Sequence, residues 1–213
     1  MQPPGTVPGP SAQPAPAPFP GDEQPVFAGL RVLDCGSFIA APAAATMLGD
    51  MGAEVIKIEP PGTGDALRAL HGMPGLPACD VEYAWMLDNR NKRGLALDLK
   101  HPEGRAVLHR LATTADVFIT NTPLDVRPKL GIDAGTLCAL NPRLIYASFT
   151  AYGESGAERG KTGFDATAYW ARSGLMDIVR PDASSPPARS VAGLGDHPSA
   201  TALFGAVVSG LYR

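Results

Sequence analysis

The sequence predicts an α/β fold: a Rossmann-like, mostly parallel sheet flanked by helices. Short runs of apolar and β-branched residues, typical of strands, alternate along the chain with longer Ala- and Leu-rich segments, typical of helices. This alternation is the pattern of βαβ units, in which consecutive strands lie parallel. With 213 residues, of which 45% are hydrophobic, the chain can also bury a sizeable core.

The first strands and helix are predicted between residues 30 and 65. Residues 30–34 form an apolar run that ends before Gly36. Residues 42–51 are Ala-rich, with Pro42 in the first turn and Gly52 just after the end, which predicts a helix. Apolar and charged residues alternate over 54–59, which predicts a second strand. Two prolines and two glycines then predict a loop that extends to about Asp65.

The remainder of the chain continues the same alternation. Strands are predicted at 95–99, 116–121 and 143–149, and helices at 102–114, 133–140, 164–176 and roughly 197–212. In parallel sheets, ligands bind beyond the carboxyl ends of the strands. A binding site is therefore expected at residues 34–41, 121–129 and 149–153.

The first residues have a different composition from the rest. Nine of the first 25 residues are proline, and most of the others are small or polar. Such a segment cannot bury enough apolar surface to offset the entropy lost on ordering. Residues 1–27 are therefore predicted to be a disordered, partly polyproline leader, and residues 28–213 to be folded.

Composition excludes several classes of partner. The net charge of −3 gives no basic excess for a nucleic-acid backbone. Cys35, Cys79 and Cys138 are scattered, which argues against a disulfide framework and a cysteine zinc site. We interpret them as small buried side chains in a reducing cytoplasm, with a catalytic thiol as the alternative. The longest apolar stretch, 39–48, is about half as long as a membrane span, and no signal-peptide pattern occurs, so no membrane partner is expected.

The GxGxxG, Walker A, HExxH and GxSxG motifs of common enzyme classes do not occur in the sequence. Four other blocks of sequence, each a weak signal alone, follow one another along the chain. The blocks are GLRVLD at 29–34 with LGDMGAEVIKIE at 48–59 and GTGD at 62–65; NKRGLALDLK at 91–100; ADVFITN at 115–121 with LNPRLIYAS at 140–148; and GFDATA at 163–168 with LGDH at 194–197. Together they cover about residues 28–213 and resemble the N-terminal half of family III CoA-transferases of the CaiB/BaiF superfamily.

The resemblance implies the large domain of this family without its small domain and C-terminal part. It also implies an interlocked homodimer that moves CoA from an acyl-CoA donor to a small carboxylic acid, without a metal. A fragment and one of two complementing subunits are both compatible with this coverage. Superfamily racemase or isomerase chemistry and a non-catalytic CoA-binding fragment are the alternative functions.

The resemblance also implies the residues of the site. The nucleophilic aspartate of the family corresponds to Asp196. The elements that bind CoA correspond to Phe38, Ile39, Ala40, Leu97, Lys100, Asn121, Thr122 and Lys129. Lys129 stands where the family usually has arginine, so the charge is kept but bidentate geometry is lost. Pro60 stands where some members have an arginine that contacts CoA, and that contact is expected to be absent.

The residues around Asp196 admit the same chemistry on physical grounds. A carboxylate can attack a thioester carbonyl to give a mixed anhydride and CoA thiolate. Gly193 and Gly195 flank the aspartate, and its place at a helix start favours the anionic form. The alternative is that Asp196 only caps the helix, a role that aspartate fills well. His197 is interpreted as a proton partner of Asp196 or as a polar contact of the first helical turn.

Other basic residues have two interpretations each. Lys92, Arg93 and Lys100 fit phosphate contacts or a solvated basic turn, and Lys57 fits a phosphate contact or an exposed strand position.

The segment before Asp196 bears on the type of reaction. Racemases of this fold have histidine where this chain has Phe164, so transfer is favoured over isomerisation. Asp165 is interpreted as structural. The run at 164–174 resembles members that act on aryl or 2-hydroxy acids, and Tyr169 and Trp170 either contact such an acid or pack in the core.

Overall fold

A computed structural model describes residues 24–70 and 77–213. In this part of the chain, the strands are β1 (Arg31–Asp34), β2 (Glu54–Glu59), β3 (Arg93–Ala96), β4 (Val117–Thr120) and β5 (Ile145–Ser148). They form one sheet in the order β3-β2-β1-β4-β5, and each neighbouring pair is parallel. The predicted α/β fold with a parallel sheet is confirmed. The predicted leader lies mostly outside the described residues and stays a prediction.

Helices connect the strands and cover both faces of the sheet. They are α1 (Ala40–Asp50), α2 (Tyr83–Asn89), α3 (Pro102–Ala112), α4 (Arg127–Leu130), α5 (Ala134–Leu140), α6 (Leu175–Ile178) and α7 (Asp196–Leu211). A 3₁₀ turn lies at Ala66–Leu70, and a π-helical segment lies at Asp165–Ala171.

The core consists of two apolar clusters, one on each face of the sheet. Successive residues of β1 point to opposite faces, so Val32 joins the cluster under α1 and α7, and Leu33 joins the cluster under α3 and α5. Helix α7 contributes Ala200, Leu203 and Val207, which share one helical face. Because the buried residues of α1 are mainly alanines, α7 packs closely against it.

The third strand differs in position from the prediction. The predicted strand at 95–99 is wrong, since β3 ends at Ala96. The side chain of Asp98 accepts a hydrogen bond from the backbone N–H of Lys100 at 2.9 Å, and this local turn keeps the strand from continuing. Within the described part of the chain, β3 lies at the edge of the sheet, pairs only with β2 and is largely exposed, so its apolar pattern is weak.

The predicted helix at 164–176 is also wrong, because it is divided into the π-helical segment and α6. Gly174 has a φ of 83°, a left-handed conformation that interrupts the helix. The sequence did not indicate α2 and α4. Helix α4 has only four residues, and α2 has no side-chain cap to mark its start.

The three cysteines lie within the part of the chain that the structure describes. All three cysteines are free thiols, and Cys79 is exposed, so its predicted burial is wrong. Burial, with a smaller effect of Asp34, raises the pKa of Cys35 to about 12, so this thiol stays protonated at neutral pH. Within the described ranges, no helix is long and apolar enough to cross a membrane.

We expect Ala44→Leu to lower the free energy of unfolding by about 1–3 kcal/mol, because close-packed interiors accept added methylene groups only with strain. Ala44 is fully buried in the cluster under α1 and α7. Urea unfolding followed by circular dichroism measures the change. Ala202→Leu adds the same atoms to the exposed surface of α7 and should change this energy by less than about 0.5 kcal/mol. Equal losses in both variants would contradict the close packing of α1.

Candidate active site

The carboxyl ends of β1 and β4 meet where the strand order reverses, the usual place for a ligand in such a sheet. The side chain of Asn121, which follows β4, joins the two loops there. Its Oδ1 accepts a hydrogen bond from the backbone N–H of Ser37 at 2.8 Å, and its Nδ2 donates to the carbonyl of Ser37 at 2.8 Å. The amide of this predicted CoA-binding residue therefore holds the turn after β1.

That turn has an unusual backbone conformation at Phe38. The φ of Phe38 is 61°, a left-handed conformation that costs a bulky residue about 1–2 kcal/mol. Asp65 stabilises it, because Asp65 Oδ1 accepts hydrogen bonds from the backbone N–H of Phe38 at 2.9 Å and from the Ser37 hydroxyl at 3.1 Å. The ring of Phe38 then lies edge-on to that of Phe164, with ring centroids 5.5 Å apart.

Two lysines and two aspartates form a buried ionic network beneath this turn. Lys57 Nζ donates to Asp65 Oδ2 at 2.8 Å and to the carbonyl of Gly36 at 2.6 Å, and it lies 3.7 Å from Asp34 Oδ2. Lys92 Nζ donates to the same Asp34 oxygen at 2.8 Å. Each of the four side chains is at most 2% exposed. Their opposite charges therefore compensate one another inside the protein.

The interpretations of Lys57 and Lys92 as phosphate contacts or solvated side chains are therefore wrong. Lys92 Nζ also lies within 2.9 Å of the Pro42 carbonyl, the Asp88 carbonyl and the side-chain oxygen of Asn89. An ammonium group has three protons, so these protein oxygens use all of its capacity to donate.

The charges of the network are set by competition between burial and pairing. Burial by itself would raise the pKa of Asp34, but Lys57 and Lys92 outweigh it and hold that pKa below its ordinary value. Burial by itself would lower the pKa of Lys57, but Asp34 and Asp65 outweigh it and raise that pKa. Asp34 and Lys57 are therefore both ionised at neutral pH.

We expect Lys57→Met to lower the free energy of unfolding at pH 7 by about 3–5 kcal/mol, because it leaves two buried aspartates without their shared cation. Urea unfolding measures the loss. The loss should shrink as the pH falls through the lowered pKa of Asp34, since a protonated aspartate needs no cation. Lys129→Met removes an exposed lysine and serves as the control. A loss in Lys57→Met no greater than in this control would contradict the network.

Asp196 is the first residue of α7, and it does not act as the helix cap. Gly195 occupies the cap position, and no side-chain cap hydrogen bond is present at this helix start. The interpretation of Asp196 as a cap is therefore wrong. Its carboxylate is half-buried, and the first helical turn does not use it.

Two side chains of the π-helical segment hold the residue before Asp196. Tyr169 packs so closely on Gly195 that a Cβ there would lie 2.6 Å from Tyr169 Cβ and Cγ. Asp165 Oδ2 accepts a hydrogen bond from the backbone N–H of Gly195 at 3.4 Å. Only glycine fits against Tyr169 at this position. The hydrogen bond from Gly195 agrees with the structural role expected of Asp165.

The surroundings of Asp196 raise its pKa from 3.8 to about 6, so the expectation that the helix start favours its anionic form is wrong. Burial is the largest cause, and the negative charge of Asp165 is the next. His197 opposes the rise, and Asp88 adds to it. At pH 7 the carboxylate is still mostly ionised. Its raised pKa makes it a stronger nucleophile than an ordinary aspartate.

Besides Phe38 and Asn121, three more predicted CoA-binding residues lie beside the reversal of strand order. Ile39 Cδ1 would lie 3.7 Å from a Cβ at Gly193, so it connects the turn after β1 with the loop before Asp196. Ala40 is buried at the start of α1. The backbone N–H of Thr122 donates to the hydroxyl of Thr120 at 3.1 Å.

The other predicted CoA-binding residues are farther apart. Leu97 follows β3 and packs against the cluster under α3 and α5. Lys100 also follows β3, whereas Lys129 lies on α4 after β4, and both lysines are exposed. They follow strands on opposite sides of β1, so the structure places one exposed cation on each side of the central turn.

Arg127 is a residue of this edge that the sequence did not indicate. It is buried on α4, where its Nε donates to the carbonyl of Thr122 at 2.7 Å and its Nη1 donates to the hydroxyl of Ser148 at 2.6 Å and to Glu154 Oε1 at 3.2 Å. It therefore connects the loops after β4 and β5. No local pattern marks such an arginine, because its carboxylate partner is 27 positions away.

The arrangement is suited to nucleophilic chemistry by a carboxylate. Within residues 24–70 and 77–213, no group of three or more His, Cys, Asp or Glu side chains could hold a metal ion.

Comparison with known proteins assigns this arrangement to a family. Residues 27–213 match CoA-transferase family III. The (R)-2-hydroxy-4-methylpentanoate CoA-transferase of Clostridioides difficile is 42% identical over 87% of this chain and 46% of that protein. The cinnamoyl-CoA:phenyllactate CoA-transferase of Clostridium sporogenes is 39% identical over 88% of this chain and 45% of that protein. A CAIB/BAIF family protein from Brucella suis has a similar structure, with a TM-score of 0.79 and 30% identity over 89% of this chain and 50% of that one.

The chain belongs to CoA-transferase family III, and the resemblance of its four sequence blocks to that family is confirmed. It spans slightly less than half the length of the two CoA-transferases.

We expect Asp196→Asn to raise the free energy of unfolding at pH 8 by about 1–2 kcal/mol, a figure reduced to allow for partial exposure of the carboxylate. The ionised carboxylate destabilises the folded state increasingly as the pH rises from 3.8 to about 6, and an amide avoids this cost. At pH 4 the gain should be nearly absent, because Asp196 is then protonated in the folded protein. Urea unfolding at both pH values is the measurement, with the exposed Asp125→Asn as control. A gain of equal size at pH 4 would show that ionisation is not its cause.

Proposed function

We propose that this chain provides the nucleophile and part of the CoA site of a CoA-transferase, which moves CoA from an acyl-CoA donor to a carboxylic acid. Membership of CoA-transferase family III supports the reaction class. The observation that carries the proposal is the half-buried Asp196 carboxylate, whose pKa is raised to about 6 and which the helix start does not use.

The proposed reaction passes through a covalent intermediate at Asp196. The carboxylate attacks the thioester carbonyl of the donor and the C–S bond breaks, which releases CoA as a thiolate and leaves the acyl group on Asp196 as a mixed anhydride. The thiolate then attacks the carbonyl carbon of Asp196, which forms an aspartyl thioester and releases the donor acid as a carboxylate. The acceptor carboxylate repeats these steps in reverse, which regenerates Asp196. Protons balance without an external acid or base, and no step requires a metal.

The CoA molecule is proposed to lie along the carboxyl edge of the sheet. Phe38, Ile39 and Ala40 form the turn over which it passes, and the exposed Lys100 and Lys129 are the candidates for phosphate contacts. Leu97, Asn121 and Thr122 are assigned to the walls of the same site. Since the amide of Asn121 is bound to Ser37, we assign it to holding the turn.

The acceptor is proposed to be a 2-hydroxy acid with a branched or aryl side chain. The names of two relatives mention (R)-2-hydroxy-4-methylpentanoate and phenyllactate, which are acids of this class. The aromatic side chains of Phe38, Phe164 and Tyr169 near the start of α7 suit an apolar acid.

The chain is proposed to work in the cytoplasm, where free thiols persist.

A second chain is proposed to complete the site, either another copy of this one or a complementing subunit. Apolar side chains near Asp196 are exposed, namely Phe164 at 64%, Val191 at 71% and Leu194 at 40%. Apolar surface of this kind is typical of a protein interface. The length of the related CoA-transferases, about twice the matched part, also supports further contributions to the site.

Hydroxylamine trapping tests the nucleophile. The chain, purified as the complex that it forms in its own cells, is incubated with a branched or aryl 2-hydroxyacyl-CoA and hydroxylamine, and mass spectrometry locates the hydroxamate. We expect the label on Asp196, with a loss of at least about 100-fold in Asp196→Ala, because the proposed intermediate forms on this carboxylate. The exposed Asp125→Ala is the matched control and should label like the wild type.

Three other outcomes would contradict the proposal. Unchanged labelling in Asp196→Ala would exclude this residue as the nucleophile. CoA binding without labelling in the wild type would indicate a non-catalytic CoA-binding chain. Deuterium uptake from solvent at the α-carbon of the acyl-CoA, without labelling, would indicate isomerase chemistry.

A further inference from the structure

Beside Asp196, the side chains of His197 and Asp88 join the start of α7 to α2. We propose that they form an imidazolium–carboxylate ion pair that positions Asp196 and favours its anionic form. His197 is then a positioning residue and takes no part in bond formation. The inference rests on the proposed function for the importance of Asp196, but the ion pair itself does not depend on it.

Both ring nitrogens of His197 face oxygen atoms. Nε2 lies 3.0 Å from Asp88 Oδ1, and Nδ1 lies 3.2 Å from the carbonyl oxygen of Gly193. Carbonyl and carboxylate oxygens only accept hydrogen bonds, and a neutral imidazole has a single N–H. Both contacts are satisfied only if the pair holds one additional proton. That proton is either on His197, which gives an ion pair, or on Asp88, which gives two neutral groups.

We assign this proton to His197, because it is the more exposed member of the pair. The Asp88 side chain is 4% exposed, but that of His197 is 42% exposed, so water can solvate an imidazolium. Burial raises the pKa of Asp88, but His197 opposes the rise through its hydrogen bond and charge, and Lys92 and Arg90 also oppose it. Lys92 and Arg90 therefore also favour the Asp88 carboxylate, although burial remains the larger effect.

The pair acts on Asp196 through position and charge. The backbone N–H of His197 lies 3.3 Å from the carbonyl of Gly193, which also faces ring Nδ1, so the ring lies over the turn that leads to Asp196. The contact between His197 Nε2 and Asp88 Oδ1 connects this ring to α2. Among the charges that face Asp196, those of Asp165 and Asp88 disfavour its anion, and that of His197 favours it. Loss of the imidazolium would therefore leave less of the nucleophile ionised near neutral pH.

The protonation of His197 can be observed directly by ¹⁵N NMR of its ring. In the wild type at pH 7 we expect hydrogen on both ring nitrogens, and in Asp88→Asn on one. His109, whose Nε2 lies 2.7 Å from the carbonyl of Gly131, is an internal reference on another helix. A single protonated nitrogen on His197 in the wild type would overturn the proposal.

The effect on Asp196 is measured by ¹³C NMR titration of its carboxyl group. In His197→Gln the midpoint should rise by about one pH unit, because the favourable charge is lost. The matched control His109→Gln should leave it unchanged. An unchanged midpoint in a folded His197→Gln would overturn the proposal. If that variant does not fold, the ring nitrogens of the wild type and Asp88→Asn decide.

The trapping assay adds a readout that structural damage would not reproduce. A one-unit rise in the midpoint lowers the yield of the His197→Gln adduct about five-fold at pH 6 and hardly at all at pH 9. An equal loss at both pH values would overturn the proposed effect of charge. The titration needs no turnover, so failure of Asp196 as a nucleophile and failure of the ion pair give different results.

Discussion

The buried contact between Lys57 and Asp65 is the interaction on which the geometry of the candidate site depends. One oxygen of Asp65 binds Lys57, and the other fixes the left-handed backbone of Phe38, so a loop after β2 shapes the turn after β1. Lys92 shares Asp34 with Lys57 and continues the network to α2, the helix that contacts the start of α7. Paired ions tolerate burial, whereas a single ion left without a partner does not. Buried polar contacts therefore connect the turn after β1 with the start of α7.

Most of the sheet could be predicted from the sequence, because strands covered on both faces appear as nearly continuous apolar runs. The same burial explains why Lys57 was misinterpreted. Alternation indicates an exposed face only where one side of a sheet meets water, and helices cover both sides of this one. The edge strand β3 was misplaced because its largely exposed residues give a weak apolar pattern.

The candidate site was predictable only in part. Asp196 and the CoA-binding positions came from resemblance to a family, because an aspartate at a helix start most simply predicts a cap. The structure shows that Gly195, and not Asp196, is the N-cap residue of α7. The roles of the CoA-binding positions stay proposals. Asp88 could not be predicted as a neighbour of His197, because 109 positions separate them and no local pattern relates them.

The alanine-rich face of α1 makes the location of the proposed nucleophile, Asp196, depend on residues outside the candidate site. Because methyl groups separate α1 from α7, side-chain volume sets how far the start of α7 lies from the sheet. Reaction rates respond to displacements of about an ångström. A change of side-chain volume between α1 and α7 is therefore expected to shift Asp196 relative to the sheet, and with it the size of acid that the proposed site accepts, without a change in any residue of the site.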